Sequence, residues 1–439
     1  MGNFTYPPAM TFTPLRNAAH ATVTLPGSKS ITNRALLIAS LAGGRSILSG
    51  ALDADDTRRM IECLGALGVS IEKDGETLTV HGTGGRYSAP QGPLFAGNSG
   101  TTIRFLTTAA PFTPAGSNVI LDGNERMRQR PIADLVEAMT QLGVDVRCLG
   151  DGGCPPVRVA GGGLRGGRCS VHGTISSQYL SALLMAAPLA TSDTHIVVEG
   201  SLVSKPYVDL TDAVMTAFGV AIGHEEYQKF AVPGRLHYIA RDYAIEPDAS
   251  NATYFLAAAA LTGGRVTVSG LGSSSAQGDA TFVRVLEEMG CAVMQGQSTT
   301  VVTGPDTLHA VDIDLESIPD TAQTVAVLAL FANGVSRLRG LGTLRVKETD
   351  RIEALATEMR KLGAEIVAGP DSLTITPPKS PYTAAIDTYD DHRMAMSFAV
   401  ATLRLPSMTI NDPGCVAKTF PDFWHRWQAA FGNVAQTVL

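Results

Sequence analysis

An apolar residue followed by glycine returns along this 439-residue chain at a nearly constant interval. The pairs are Leu67-Gly68, Leu142-Gly143, Phe218-Gly219, Met289-Gly290, Leu362-Gly363 and Phe431-Gly432, with the glycines 75, 76, 71, 73 and 69 residues apart. Each pair closes a stretch of helical periodicity, where glycine just past the last turn supplies the positive φ that stops a helix. After the first five a strand opens at once, as in Val69-Ser70-Ile71 and Ala364-Glu365-Ile366. A turn and a second strand usually follow, such as Glu76–Val80 or Ser372–Thr376. One Leu-Gly means nothing, but six at one period demand a repeat architecture.

A second pattern runs in phase. An Ala/Leu-rich helix passes into a short strand at 36–50, and its copies are 105–123, 180–200, 254–270, 325–340 and 396–412. Each of these helices is apolar on nearly all sides and is expected to be buried. The other helix of each unit is amphipathic. In Arg351–Leu362 the apolar set Ile352, Leu355, Met359 and Leu362 forms a single stripe. The unit therefore reads strand–helix–strand–helix–strand–strand, which places the chain in the α/β (α+β) class. Six units can close as one ring or as two groups of three, and domain size favours the latter. The break is expected between Ala231 and Ser250, where Pro233-Gly234 and Pro247 punctuate the chain.

Polar clusters precede the buried helices with the same period: Ser28-Lys29-Ser30, Asn98-Ser99-Gly100-Thr101, Ser176-Ser177-Gln178, Asp248-Ala249-Ser250-Asn251, Asp320-Thr321 and Asp391-His392-Arg393. Capping of free helical N–H groups explains part of each cluster, and is the preferred reading of Ser250-Asn251. It does not explain Lys29, Gln178 or Arg393, since cations are disfavoured at a helix start. Gly100 suits close approach of a ligand to backbone N–H groups, and a helix N-terminus is a natural anion site. Other basic residues fit the same idea. Ser30 and Arg34, and likewise Gly100 and Arg104, are spaced i, i+4, and Arg126, Arg128 and Arg130 crowd one loop. Ser204-Lys205-Pro206-Tyr207 offers a hydroxyl, a cation and a phenol. Lys347 and Arg351 are expected one turn apart on an amphipathic helix, and Lys418 precedes Thr419-Phe420-Pro421-Asp422, which reads as a capping box.

Composition sets limits on function. Charged residues make up 17% and hydrophobic ones 44%, against about 25% charged in an ordinary soluble domain. Disorder is excluded by the apolar mass. With 34 basic and 41 acidic residues the net charge is −7, and nucleic-acid coat proteins are basic. That balance also disfavours a strongly anionic ligand unless positive potential is concentrated locally. The six cysteines are scattered without a Cys-x-x-Cys pair, which suggests reduced thiols in a cytoplasm. The opening residues lack a basic segment followed by an apolar core, so no leader is expected. The charge-free stretch Cys169–Ser192 carries too many polar residues at its start for a membrane helix. No zinc motif, Walker phosphate loop, nucleophile elbow or dinucleotide fingerprint is present.

Seven segments, taken together and in order, resemble the EPSP synthase family of enolpyruvyl transferases: LPGSKSITNRALLIASLA, GNSGTTIRFL, RMRQRPI, SSQYLSALLMAAP, SKPYVDLT, VKETDRIEAL and DHRMAMSFAV. The resemblance spans nearly the whole chain. It implies an inside-out α/β barrel fold, with two similar domains of three βαβαββ units each around buried parallel helices. Residues 1–27 with 248–439 would form the phosphoenolpyruvate and catalytic side, residues 28–247 the shikimate 3-phosphate side, with hinges near 25–28 and 243–248. The implied reaction transfers the enolpyruvyl group of phosphoenolpyruvate to the 5-hydroxyl of shikimate 3-phosphate, on the route to chorismate and the aromatic amino acids. No metal or organic cofactor is implied. The expected setting is a cytoplasmic monomer without nucleic-acid or membrane partners, inhibited by glyphosate.

Residue roles follow from the same motifs. Lys29, Ser30, Arg34, Ser176, Ser177, Gln178, Ser204, Tyr207, Asp320 and Lys347 are expected around shikimate 3-phosphate. Lys29, Asn98, Gly100, Arg130, Gln178, Arg351, Arg393 and Lys418 are expected around phosphoenolpyruvate. Asp320 and Glu348 are the expected base and acid, with Lys29 also catalytic, because the hydroxyl must lose a proton while the methylene carbon gains one. Two positions depart from the family pattern. Thr343 stands where Asn is usual, which weakens one shikimate contact, and Phe105 stands where Pro is usual, which is expected to shift Gly100 and Thr101 and alter glyphosate sensitivity. The sister enzyme that acts on UDP-N-acetylglucosamine is the nearest alternative. It typically has a Cys in the loop before Arg-Pro, where Glu125 stands here. A non-catalytic anion-binding repeat protein is the other, and it has no need of the carboxylates Asp320 and Glu348.

Overall fold

The computed structural model describes residues 4–432 and 435–437. Six helices lie in the interior: Lys29–Leu41, Gly100–Ala109, Ser177–Ala186, Ala249–Thr262, Ala322–Ala329 and His392–Ala401. Alanine lets them approach closely: Ala257, Ala258, Ala259, Ala326, Ala329, Ala395 and Ala399 are all fully buried. Six further helices each bury one face: Asp55–Ala66, Ala133–Gln141, Pro206–Ala217, Phe282–Glu288, Arg351–Lys361 and Phe423–Phe431. At their ends stand the repeat glycines, with φ of 89° at Gly68, 81° at Gly143, 88° at Gly219, 97° at Gly290, 89° at Gly363 and 63° at Gly432. All six occupy the left-handed region that L side chains avoid.

The chain divides into two compact units, residues 27–245 and residues 1–26 with 246–439. Their bounds fall at 26/27 and 245/246, where the family resemblance implies 27/28 and 247/248. Each unit has its own apolar core and three four-stranded sheets. Strands alternate inward and outward: in Thr194–Glu199 the residues Thr194, Ile196 and Val198 are buried while His195, Val197 and Glu199 are exposed. Burying one such aliphatic side chain contributes about 1.5–3 kcal/mol.

One pairing rule builds five of the six four-stranded sheets, while Leu308–His309 and Ala332–Asn333 form a two-stranded parallel sheet. A strand runs parallel to the one that follows a buried helix. An antiparallel hairpin then completes the sheet, as in Leu94–Phe95, Asn118–Asp122, Val157–Ala160 and Val146–Cys148. Two strands obey the rule by exchange. His20–Thr24 leads into Lys29–Leu41 but pairs with Arg265–Ser269, and Asp242–Ala244 leads into Ala249–Thr262 but pairs with Ile47–Ser49. That exchange is why the chain crosses between units twice. The sixth repeat is completed from the N-terminal segment: Ala9–Phe12 lies between Met408–Asn411 and Ala435–Thr437, antiparallel to both. Gly27 is required at the first crossing, because a Cβ there would lie 1.9 Å from the carbonyl oxygen of Gly50.

The charge-free stretch Cys169–Ser192 holds the end of the strand Gly167–His172 and the whole buried helix Ser177–Ala186. Among the described residues no helix is long and apolar enough to cross a membrane.

Candidate active site

Side-chain bonds join the N-terminal halves of the three buried helices within each unit. In the 27–245 unit, Asn33 Nδ2 donates to Thr101 Oγ1 at 2.7 Å, Arg104 Nη1 to Gln178 Oε1 at 2.7 Å and Arg34 Nη2 to Ser181 Oγ at 3.4 Å. In the other unit, Thr253 Oγ1 meets Thr324 Oγ1 at 3.2 Å, Thr324 Oγ1 meets Ser397 Oγ at 3.3 Å, and Arg393 Nη1 donates to Tyr254 Oη at 3.1 Å. Each trio therefore runs parallel with its N-termini gathered, and each N-terminus carries about half a positive charge.

Five of the six helix starts have a side-chain cap. Ser28, Ser99 and Ser176 accept from Ile31 N, Thr102 N and Gln178 N, while Asp248 and Asp391 accept from Asn251 N and Arg393 N. Ser250 and Asn251 are thus first-turn residues rather than caps. Ser250 Oγ instead donates to the buried carboxyl of Asp279. The start of Ala322–Ala329 has no side-chain cap: the short turn Pro319–Thr321 precedes it, and Asp320 is turned to other partners.

In the 27–245 unit, Gly100 lies between two guanidinium groups. A Cβ there would stand 2.8 Å from both Arg104 Nη1 and Arg130 Nη2. Arg130 Nη1 donates to Asn98 O at 3.2 Å and Asn98 Oδ1 at 3.3 Å, two neutral acceptors. Two arginines, a helix N-terminus and a residue without a side chain make a cradle for an oxyanion. Lys29, on the first turn of its helix, pairs with Asp56 at 3.3 Å. Arg34 is buried; its Nε donates to Thr211 Oγ1 at 2.8 Å, its Nη1 to Ser30 O at 3.0 Å and its Nη2 to Tyr207 O at 3.0 Å. Burial lowers its pKa to about 10, and its guanidinium lies 5.3 Å from the centroid of the Phe105 ring. Ser176, Ser177 and Gln178 open one helix, and Ser204, at φ 54°, precedes another that carries Tyr207. A non-glycine residue in the left-handed region stores strain, a common feature of ligand sites.

The second unit holds a network of charge. Asp320 Oδ1 accepts from Lys347 Nζ at 2.8 Å and Arg351 Nη1 at 3.2 Å, and its Oδ2 accepts from Arg393 Nη2 at 2.8 Å. Arg351 is 1% exposed. It also donates to Asp391 at 2.7 and 3.1 Å and to Glu348 Oε2 at 2.9 Å. Lys418 Nζ stands 3.8 Å from Glu348 Oε1. Burial lowers the Lys347 pKa against the pull of Asp320. Burial opposes the Arg351 charge as well, but Asp391, Glu348 and Asp320 raise its pKa above the ordinary value. Burial, then the charge of Asp320, pushes the Asp279 carboxyl up to about 6. Two carboxylates, Asp320 and Glu348, thus share one arginine inside a set of cations, an arrangement suited to giving and taking protons beside an anion.

Two helix expectations are corrected. Lys347 and Arg351 do not share a helix face, because Gly342–Val346 is a short tight turn and the helix starts only after Asp350, whose side chain accepts from Glu353 N. Both cations converge on Asp320 nonetheless. No capping box forms at Thr419–Asp422; Asp422 Oδ2 takes Arg426 Nε at 2.7 Å instead. Thr343 Oγ1 is buried without a hydrogen-bond partner among the described residues. Sequence reasoning did not single out Asp56, Asp279 or Tyr254, and it showed Asp391 only as a cap candidate in the Asp391-His392-Arg393 cluster. Arg104 was visible only as the i+4 neighbour of Gly100.

Comparison with known proteins places the chain. The family model described as EPSP synthase (3-phosphoshikimate 1-carboxyvinyltransferase) matches residues 15–427. A 3-phosphoshikimate 1-carboxyvinyltransferase of Erwinia tasmaniensis is 49% identical over 409 residues, covering 92% of this chain and 95% of that protein. The chloroplastic enzyme of the same name from Arabidopsis thaliana is 47% identical, covering 92% of this chain and 81% of that one. An EPSP synthase structure from Acinetobacter baumannii superimposes with a TM-score of 0.80 at 26% identity, over 98% of this chain and 100% of that one.

Proposed function

This chain belongs to the EPSP synthase family, and we propose that its two polar clusters divide that family's reaction between them. The enzyme transfers the enolpyruvyl group of phosphoenolpyruvate to the 5-hydroxyl of shikimate 3-phosphate and releases phosphate, a step of the shikimate pathway. In our reading the 27–245 unit holds shikimate 3-phosphate through Lys29, Ser30, Arg34, Ser176, Ser177, Gln178, Ser204 and Tyr207. Its Gly100 cradle, with Asn98 and Arg130, takes an oxyanion of phosphoenolpyruvate. The other unit contributes Lys347 toward the shikimate hydroxyls and Arg351, Arg393 and Lys418 toward phosphoenolpyruvate.

The observation that carries the chemistry is Asp320, an uncapping carboxylate reached by three cations. An arriving phosphate or carboxylate competes for those cations and leaves an Asp320 oxygen for the hydroxyl proton. Glu348, between Arg351 and Lys418, supplies a proton to the methylene carbon as the new C–O bond forms. The cations then stabilise the tetrahedral adduct. Its collapse expels phosphate, which carries off the hydroxyl proton held by Asp320, and returns the methyl proton to Glu348, which enters the cycle in its protonated form. Lys29 assists at the phosphoenolpyruvate end.

Phosphate release from phosphoenolpyruvate tests this, with shikimate 3-phosphate in one arm and UDP-N-acetylglucosamine in the other. Release is expected in the first arm only. Asp320→Asn is expected to lose about 10²–10⁴-fold in kcat, and full activity in that variant sinks the base assignment. We also propose that glyphosate binds at the Gly100 cradle. Phe105, buried on the same helix against Arg34, then tunes inhibition, and Phe105→Pro with an unchanged inhibition constant counts against this. Six unpaired cysteines support a reducing compartment such as the cytoplasm.

A further inference from the structure

Arg351 and Arg393 both donate to Asp320, but they are held in different ways. Arg351 is gripped by the carboxylates of Asp391 and Glu348 as well. Arg393 is held on its other side by a phenol: Nη1 donates to Tyr254 Oη at 3.1 Å while Nη2 donates to Asp320 Oδ2 at 2.8 Å. Tyr254 is fully buried in the Ala-rich helix Ala249–Thr262. Its ring meets Phe423 edge-on, with centroids 6.0 Å apart and planes at 81°. Burial also pushes the phenol up to about 12, which keeps this partner neutral at working pH.

A carboxylate in that place would orient Arg393 and neutralise it in the same contact. A phenol oxygen orients the guanidinium and adds no further negative charge to those of Asp320 and Asp279, which already act on it. We propose that Tyr254 is a positioning residue for the reaction, one that fixes the Arg393 guanidinium in the orientation in which it meets the anionic substrate. This rests on the assignment of Arg393 to phosphoenolpyruvate made above. It adds a residue that touches no substrate and comes from a different repeat.

Tyr254→Phe removes the hydroxyl and keeps the ring. It is expected to raise KM for phosphoenolpyruvate about fivefold to tenfold, the range of one hydrogen bond, with a smaller change in kcat and none in KM for shikimate 3-phosphate. Combined with Arg393→Lys, it should add little, because both changes break one interaction. An unchanged KM, a fall in thermal midpoint alone, or full additivity in the double variant overturns the proposal. If Arg393→Lys by itself leaves KM for phosphoenolpyruvate unchanged, the Arg393 assignment fails and the proposal with it. A KM raised by Arg393→Lys but not by Tyr254→Phe defeats the Tyr254 role alone.

Discussion

A methyl group on Gly100 would stand 2.8 Å from each of two guanidinium groups, closer than real Cβ contacts run. Gly100→Ala should therefore displace Arg104 or Arg130 and raise KM for phosphoenolpyruvate about tenfold, the loss of one charge-assisted contact; steady-state kinetics in each substrate checks it. Asp279 gives a second prediction, in stability. Its folded pKa is raised from 3.8 to about 6, so between those values the folded state binds the extra proton. Stability from this group is then greatest at low pH and falls as pH rises toward and past 6, by about 3 kcal/mol in all. Asp279→Asn should flatten that part of the urea-midpoint profile, and an unaltered slope between pH 4 and 7 rules the account out. Residue types told much of this in advance. A glycine ahead of an apolar helix, or a lysine where the helix dipole repels it, points to a ligand. Tyr254 left no such trace. Tyrosine in an alanine-rich helix looks like core, and its partner lies 139 residues away.

Helix ends carry the regularity of the elements. The glycine at each amphipathic helix end was legible because six copies share a period and one backbone requirement. Gly363, at φ 89°, also has the Tyr382 ring 3.0 Å from where a Cβ would sit. Gly363→Ala should destabilise by at least about 1–2 kcal/mol, read as a lower urea midpoint at unchanged m-value. Helix starts were less legible, because a run such as Asp248-Ala249-Ser250-Asn251 offers several cap candidates and only backbone geometry chooses. Asp248 takes the extended conformation with ψ 114°, which leaves Ser250 inside the first turn. The run after Gly342 misled differently. Its i, i+4 cations suggest a helix face, but the turn ends at Val346 and Asp350 restarts the chain as a helix. Tight turns and caps override side-chain spacing there.

For the whole molecule, repeat count and grouping into threes were readable from period and domain size. The strand exchange was not readable from period or spacing, because His20–Thr24 and Asp242–Ala244 look like ordinary leaders to the helices that follow them; only the family resemblance put residues 1–27 with 248–439. The 27–245 unit is continuous and has its own core, so a 27–245 fragment should fold cooperatively alone, judged by hydrogen-exchange protection of its sheet amides. A 246–439 fragment lacks the partners of Arg265–Ser269 and Met408–Asn411 and should gain protection when a peptide of residues 1–26 is added. A protected 246–439 fragment without the peptide overturns this. Biosynthesis meets the same constraint. Thr11 bonds Thr409, 398 residues later, so at about 5–20 residues per second the ribosome makes Ala9–Phe12 roughly 20–80 s before its neighbours exist. A lone strand waiting that long invites pairing with other nascent chains. Pro7, Pro8 and Pro14 flank it closely, and prolines at strand ends block such pairing. The early strand is thus kept short and unsociable until the last repeat arrives to receive it.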